Sequence, residues 1–108
     1  MDSNSKNVEL DESTLLVSGK KTGATELKKL ANAICTVIEK HDVVKLRCVG
    51  AAAVNNGVKA FIIAKGFLDN NEEGFVGSDI LMNADFTEVS FGDEKRTAIV
   101  LTVETILE

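Results

Sequence analysis

Residues 49–67, V-G-A-A-A-V-N-N-G-V-K-A-F-I-I-A-K-G-F, are the stretch whose reading decides the fold. The run begins as the end of an apolar strand, turns at Gly50 into small residues and continues as a helix ending near Gly66 or Leu68. Taking Val54 as the centre of a face, Gly57, Val58, Phe61 and Leu68 fall on the same side at helical spacing. The opposite side carries Asn55, Asn56 and Lys59, then Ile63 and Phe67. A helix apolar nearly all round is covered on both sides. In a chain of this size the simplest second cover is another copy of the chain. The alanines at 51–53 have no bulk, so a neighbouring element or a ligand can approach their backbone closely.

Working outward, residues 43–49 alternate, with Val44, Leu46 and Cys48 on one face and Val43, Lys45, Arg47 and Val49 on the other. This reads as a half-buried strand whose outer face carries two positive charges. Before it, residues 24–40 place Leu27, Leu30, Ala31, Ile34 and Ile38 on one helical stripe. Lys40 and His41 close that helix, where positive charge suits the dipole, and Thr22 or Thr25 is the expected cap at its start. Residues 14–18 form a first strand that stops at Gly19, followed by the loop Gly19-Lys20-Lys21-Thr22-Gly23. Downstream, Asp69-Asn70-Asn71-Glu72-Glu73-Gly74 is an acidic loop. Residues 78–91 and 96–104 alternate as two strands around a tight turn at Gly92-Asp93-Glu94. The order is β-α-β-α-β-β. It predicts an α+β two-layer sandwich with two helices on one face of a four-stranded mixed sheet.

The 108 residues make one domain, spanning 14–108, behind an acidic tail at 1–13 that lacks periodicity and reads as flexible. No apolar run is long enough for a membrane span, and the polar start does not read as a signal peptide, so the expected location is the cytoplasm, with association with the nucleoid allowed. Cys35 and Cys48 match no zinc or redox spacing and read as buried, reduced thiols. The net charge of −5 hides an asymmetry. Residues 14–66 hold nine Lys/Arg against three acids, whereas residues 67–108 hold two against ten. A basic middle within an acidic chain marks a localised positive face.

Catalytic groups are scarce. The single histidine has no serine or cysteine placed for activation, no apolar-flanked pair of acids is present, and no metal spacing or cofactor motif occurs. Gly19-Lys20-Lys21-Thr22 resembles the end of a phosphate-binding loop, but position 14 is threonine where the earlier glycine is required, so a P-loop is rejected. The chain reads as a non-enzyme. Binding is better supported: Lys20 and Lys21 follow a strand end and precede a helix start, beside free N–H groups suited to phosphate. If the first two strands are neighbours, the start of the second helix, with Asn55, Asn56 and Lys59, emerges from the same edge. Lys45 and Arg47 extend the candidate site on the outer sheet face. The chain has no tyrosine or tryptophan, so backbone recognition with little sequence reading is expected. Ile63, Phe67, Ala98 and Val100 form the expected oligomer interface. A protein-interaction module without nucleic-acid binding is the alternative, and a small-ligand or nucleotide protein using the 19–23 loop is a third.

Three segments carry a resemblance: L-L-V-S-G-K-K-T, C-V-G-A-A-A-V-N-N-G-V-K-A-F-I-I-A-K-G-F and F-T-E-V-S-F-G-D-E-K-R-T-A-I-V-L-T-V-E. Together they closely resemble the stage V sporulation protein S family, over about residues 14–104. The resemblance implies an Alba-like fold, association with sporulation and with cell division or septation, and binding of DNA or RNA as a homodimer, while the two apolar patches equally allow a tetramer as a pair of dimers. The Alba G-K-K loop is similar to Gly19-Lys20-Lys21, and its glycine-led second helix is similar to Gly50 onward. Two departures stand out. Ala51 occupies the position where Alba proteins usually carry arginine, and the basic hairpin is replaced by the acidic 69–79 loop and a short turn at 92–94.

Overall fold

The computed structural model describes residues 11–75 and 79–106. The order is β1 (Thr14–Val17), α1 (Ala24–His41), β2 (Val43–Cys48), α2 (Ala51–Asp69), β3 (Ile80–Phe91) and β4 (Glu94–Thr105). The four strands form one mixed sheet in the order β1-β2-β4-β3. β1 runs parallel to β2, with Leu15 opposite Leu46 and Val17 opposite Cys48. A parallel pair needs a crossover, and α1 supplies it. β4 is antiparallel to both β2 and β3, with Leu46 opposite Leu101 and Met82 opposite Val103.

Alternation explains which faces are buried. Val44, Leu46 and Cys48 are fully inside, as are Leu101 and Val103, whereas Lys45 on the outer face is exposed and Arg47 is half-buried. The helices lie across β1, β2 and β4. From α1, Ala31, Ile34, Cys35 and Ile38 enter the core, while Leu27 and Leu30 are partly covered. Chain reversal after α1 falls to Asp42, a non-glycine at φ 64°, whose amide donates to Ile38 O at 2.9 Å. Gly92, at φ 63°, opens the two-residue turn between the paired Phe91 and Glu94, a place where a side chain would be strained.

The buried face of α2 is not the one centred on Val54. Ala53, Asn56, Gly57, Ala60, Ala64, Phe67 and Leu68 are buried, and Val54, Val58, Phe61 and Ile63 are half-covered. Closeness of packing is the reason. A Cβ on Gly57 would stand 3.0 Å from Leu101 Cδ1 and 3.3 Å from Cys48 Sγ, so only small residues fit between helix and sheet. Two of the four residues expected at an oligomer interface are therefore used up within the chain: Phe67 is 6% exposed in the core and Ala98 is 2% exposed. The helix also runs through Gly66 to Asp69, because Gly66 meets no obstacle and the polar Asn70-Asn71 pair follows only later.

Beyond α2 the acidic segment folds into successive turns, with Asn71, Glu73 and Gly74 at positive φ. Phe75 N donates to Glu72 O at 3.0 Å, and the Phe75 ring is buried as an anchor for the segment. Ser78, expected to open the third strand, lies outside the described residues.

Candidate nucleic-acid interface

Because β1 and β2 are parallel neighbours, both end at the same edge of the sheet, and both helices begin there. The Gly19–Gly23 loop leaves β1 against the first turn of α2. A Cβ on Gly19 would lie 3.6 Å from Ala53 N and 3.8 Å from Ala52 Cβ, so the bulk-free alanines accommodate this loop. Asn56 then fixes it. Its Nδ2 donates to Ser18 O at 2.9 Å and to Lys20 O at 3.0 Å, and Lys20 N donates to Ser18 Oγ at 3.1 Å. Asn56, expected among phosphate donors, has its donor hydrogens committed to the loop, so it acts by holding the lysines.

Neither helix start is capped by a side chain. α1 begins at Gly23 and α2 at Gly50, the latter at φ 91°, and neither Thr22 nor Thr25 supplies the expected cap. Thr22 Oγ1 is instead buried without a hydrogen-bond partner among the described residues. The start of α2 beside Lys20 and Lys21 places N–H dipoles and cations at one edge, an arrangement that favours an anion, whereas the start of α1 already carries the Glu26 carboxylate in its first turn.

The basic middle of the sequence divides into paired and unpaired cations. Lys28 lies 3.3 Å from Glu73 and Lys65 lies 2.6 Å from Asp79, so both are neutralised by the acidic segment after α2. The hairpin cations are likewise matched, Lys95 to Glu88 at 3.9 Å and Arg96 to Glu94 at 3.7 Å. By contrast Lys20, Lys21, Lys45, Arg47 and Lys59 have no ion-pair partner within 4 Å among the described residues. They are the five candidate cations of the sequence pattern, and Lys29 and Lys40 are likewise without an ion-pair partner among the described residues.

Their placement is not a single cluster. Lys20 and Lys21 line a cavity of about 530 Å³ together with Leu16, Leu27 and Asn56. Asn55 and Lys59 are exposed on α2. Lys45 and Arg47 lie on the sheet face away from the helices, opposite Thr14 and Leu16 of β1. Leu16, 61% exposed, walls both the cavity beside the lysines and a smaller one that includes Arg47 and Phe91. The edge strand thus joins the loop to the outer face. Asn56 is the residue whose role the sequence hid; its signal was a polar residue within the small-residue stripe 53-57-60-64.

The protein-family comparison matches the stage V sporulation protein S model over residues 13–106, nearly the whole chain. The chain belongs to the stage V sporulation protein S family. Membership supports a role related to sporulation, and the family is not known as one of enzymes. Among the described residues no group of three or more histidines, cysteines or carboxylates could hold a metal ion. Among the described residues no helix is long and apolar enough to cross a membrane.

Proposed function

We propose that the chain is a non-enzymatic, nucleic-acid-binding regulator of sporulation or cell division that grips the phosphate backbone through the 19–23 loop and the start of α2. The observation that carries this reading is the Asn56 tether: it presents Lys20 and Lys21, both unpaired, at an edge where two uncapped helices begin. In this reading Lys59 and Asn55 extend the contact along α2, and Lys45 and Arg47 extend it past Leu16 onto the sheet. Contacts of this kind neutralise phosphates, so affinity falls steeply with salt. Fluorescence anisotropy with labelled duplex DNA, single-stranded DNA and RNA at several salt concentrations is the test. Binding whose salt slope falls by about two on replacing Lys20 and Lys21 with alanine supports the reading. Unchanged affinity removes the loop from the site.

The chain acts, in this proposal, as a homodimer or tetramer. With Phe67 and Ala98 buried within the chain, other surfaces are left for a second copy. These are Ile63 beside the exposed Ile62 on α2, Val100 on the outer face of β4, and the exposed Phe86, opposite Ile99, on the other face of the sheet. A monomer by light scattering at micromolar concentration counts against oligomerisation. The same exposed residues, Phe86 at 76% above all, favour the second reading, a protein-interaction module in spore assembly or septation. Absence of any nucleic-acid binding near physiological salt would move the assignment to that module.

A further inference from the structure

The cavity beside the loop has a polarity that a bare phosphate site does not need. Its walls are aliphatic, from Leu16, Val17, Leu27 and Leu30, and its volume of about 530 Å³ falls within the roughly 300–1,000 Å³ of small-ligand sites. Lys20 and Lys21 line it from the loop, whereas Glu26 lines it from the first turn of α1. The Glu26 carboxylate lies back over the helix start, with Oε1 3.8 Å from the place a Gly23 Cβ would take. It makes no ion pair with Lys20 or Lys21. Thr22, also on the wall, keeps its hydroxyl oxygen buried without a partner among the described residues.

Two cations and a carboxylate that line one cavity without pairing within 4 Å, among aliphatic side chains, define the occupant. A phosphate is drawn to the lysines and repelled by Glu26. A flat, largely apolar group bearing an amino donor is accepted by the walls and by Glu26. A nucleotide joins those two parts covalently. We infer that this cavity takes one unstacked, amino-bearing nucleobase of a single strand, its phosphate held by Lys20 and Lys21 and its exocyclic amino group donating to Glu26. Rotation of the Thr22 side chain would give its hydroxyl a partner on the same base. The inference rests on the proposed backbone grip and deepens it. A base inside a duplex must first be extruded to enter, and a base in a single strand need not be, so the cavity selects single strands. It does so without aromatic stacking, which this chain, lacking tyrosine and tryptophan, is poorly equipped to provide.

The experiment compares labelled oligo(C), oligo(U) and a mixed duplex of equal length by anisotropy, the single strands as both RNA and DNA, using the full chain. At position 4 cytosine carries an amine that a glutamate accepts from and uracil a carbonyl that it does not. At N3 cytosine is a bare acceptor and uracil carries its one edge N–H, so the test reads the amine at position 4. Oligo(C) is expected to bind about fivefold or more tighter than oligo(U), and tighter than the duplex. Glu26→Ala closes the gap between the two homopolymers while leaving the salt slope intact. Leu27→Trp, which fills the cavity from a half-exposed position, removes the preference over the duplex; thermal melts confirm that both variants fold. A chemical-shift titration with cytidine 5′-monophosphate against inorganic phosphate gives a readout independent of polymer binding. The nucleotide should perturb the amides of Thr22, Glu26 and Leu30, and phosphate only those of the loop. Equal affinity for the three polymers, or a C-over-U gap untouched by Glu26→Ala, overturns the base pocket while the lysine grip stands. No polymer binding at low salt overturns the grip, and the nucleotide titration then decides the pocket alone: shifts at Glu26 and Leu30 support it, and their absence ends it. Comparison of the RNA and DNA arms names the sugar.

Discussion

The side-chain amide of Asn56, on α2, donates to the main-chain oxygen of Lys20 across 3.0 Å, and to that of Ser18 across 2.9 Å. A residue 36 positions away in sequence thereby sets the shape of the loop that carries the two lysines. Asn56 is 9% exposed, so its bonds are shielded from competing water. Replacing it with alanine strands two carbonyls at the loop and opens a gap under them. Asn56→Ala should lower stability by about 1–3 kcal/mol, read from the urea midpoint at unchanged slope. It should also speed hydrogen exchange at Lys20 without touching exchange in the core strands. If the exchange pattern stays as in the parent, the tether does not govern the loop.

Two glycines of α2 should respond oppositely to the same substitution. A Cβ on Gly66 meets nothing within 4 Å, so Gly66→Ala gains helix propensity and should stabilise by roughly 0.5–1 kcal/mol. A Cβ on Gly57 would press on Leu101 Cδ1 at 3.0 Å and Cys48 Sγ at 3.3 Å, both on residues at most 2% exposed. The propensity gain is then outweighed by overpacking, and Gly57→Ala should destabilise by about 1 kcal/mol or more. Parallel thermal melts decide it. A Gly57→Ala melting temperature at or above the parent's would mean that helix and sheet can separate freely.

These positions also mark how far the sequence could be read. Alternation at 43–49 and 96–104 placed both strands within a residue or two, because one face of each is buried and the other is not. The stripe of α1 was legible for the same reason, through Ala31, Ile34 and Ile38. For α2 the pattern centres on Val54, whereas the close approach to the sheet is at Gly57 within a mostly small buried stripe, since a close helix–sheet approach selects against volume. The β-α-β-α-β-β order survived that error because it needs only the existence of the helix. The five candidate cations are legible in the sequence as charges, but not their freedom from ion pairs. Whether a lysine is unpaired depends on partners such as Glu73 and Asp79, which only the fold brings to Lys28 and Lys65.

Asp79 and Lys65 predict a pH dependence. Lys65 Nζ donates to Asp79 Oδ1 at 2.6 Å and Ile80 N donates to the same oxygen at 3.1 Å. The hydrogen bond and charge of Lys65 hold the Asp79 carboxyl below its ordinary value of 3.8, and the same bond raises Lys65. A group whose folded value is lowered stabilises above its unfolded value and loses that stabilisation as pH falls through the folded one. The parent and Asp79→Asn should therefore differ in melting temperature at pH 7 and at pH 5, and the gap should narrow below pH 3.8. Asp11, lowered by bonds from Thr14 and Ser13, remains in both proteins and leaves a shared acid dependence. A gap that stays constant from pH 7 to pH 3 would rule out the ion pair as its origin.

The two thiols should be chemically silent in the folded chain. Cys35 on α1 and Cys48 on β2 are each 0% exposed, with Sγ donating weakly to Ala64 O and Leu46 O at 3.7 Å. Burial pushes both thiols up to about 11, with the Glu39 charge adding to the effect at Cys35. The thiolate is the nucleophile, and at neutral pH only about one thiol in ten thousand is ionised at such a value. Access is the second barrier, since a bulky aromatic disulfide reagent can reach either sulfur only after an opening of the helix–sheet interface. With the reagent in excess at pH 7.5, the native chain should release almost no chromophore over minutes, and two equivalents promptly in denaturant. The residual native rate should rise in Gly57→Ala, whose strain falls on Cys48, and fall in Gly66→Ala. Prompt release of one equivalent from the native chain would place a thiol at the surface and contradict the packing of α2 on β2.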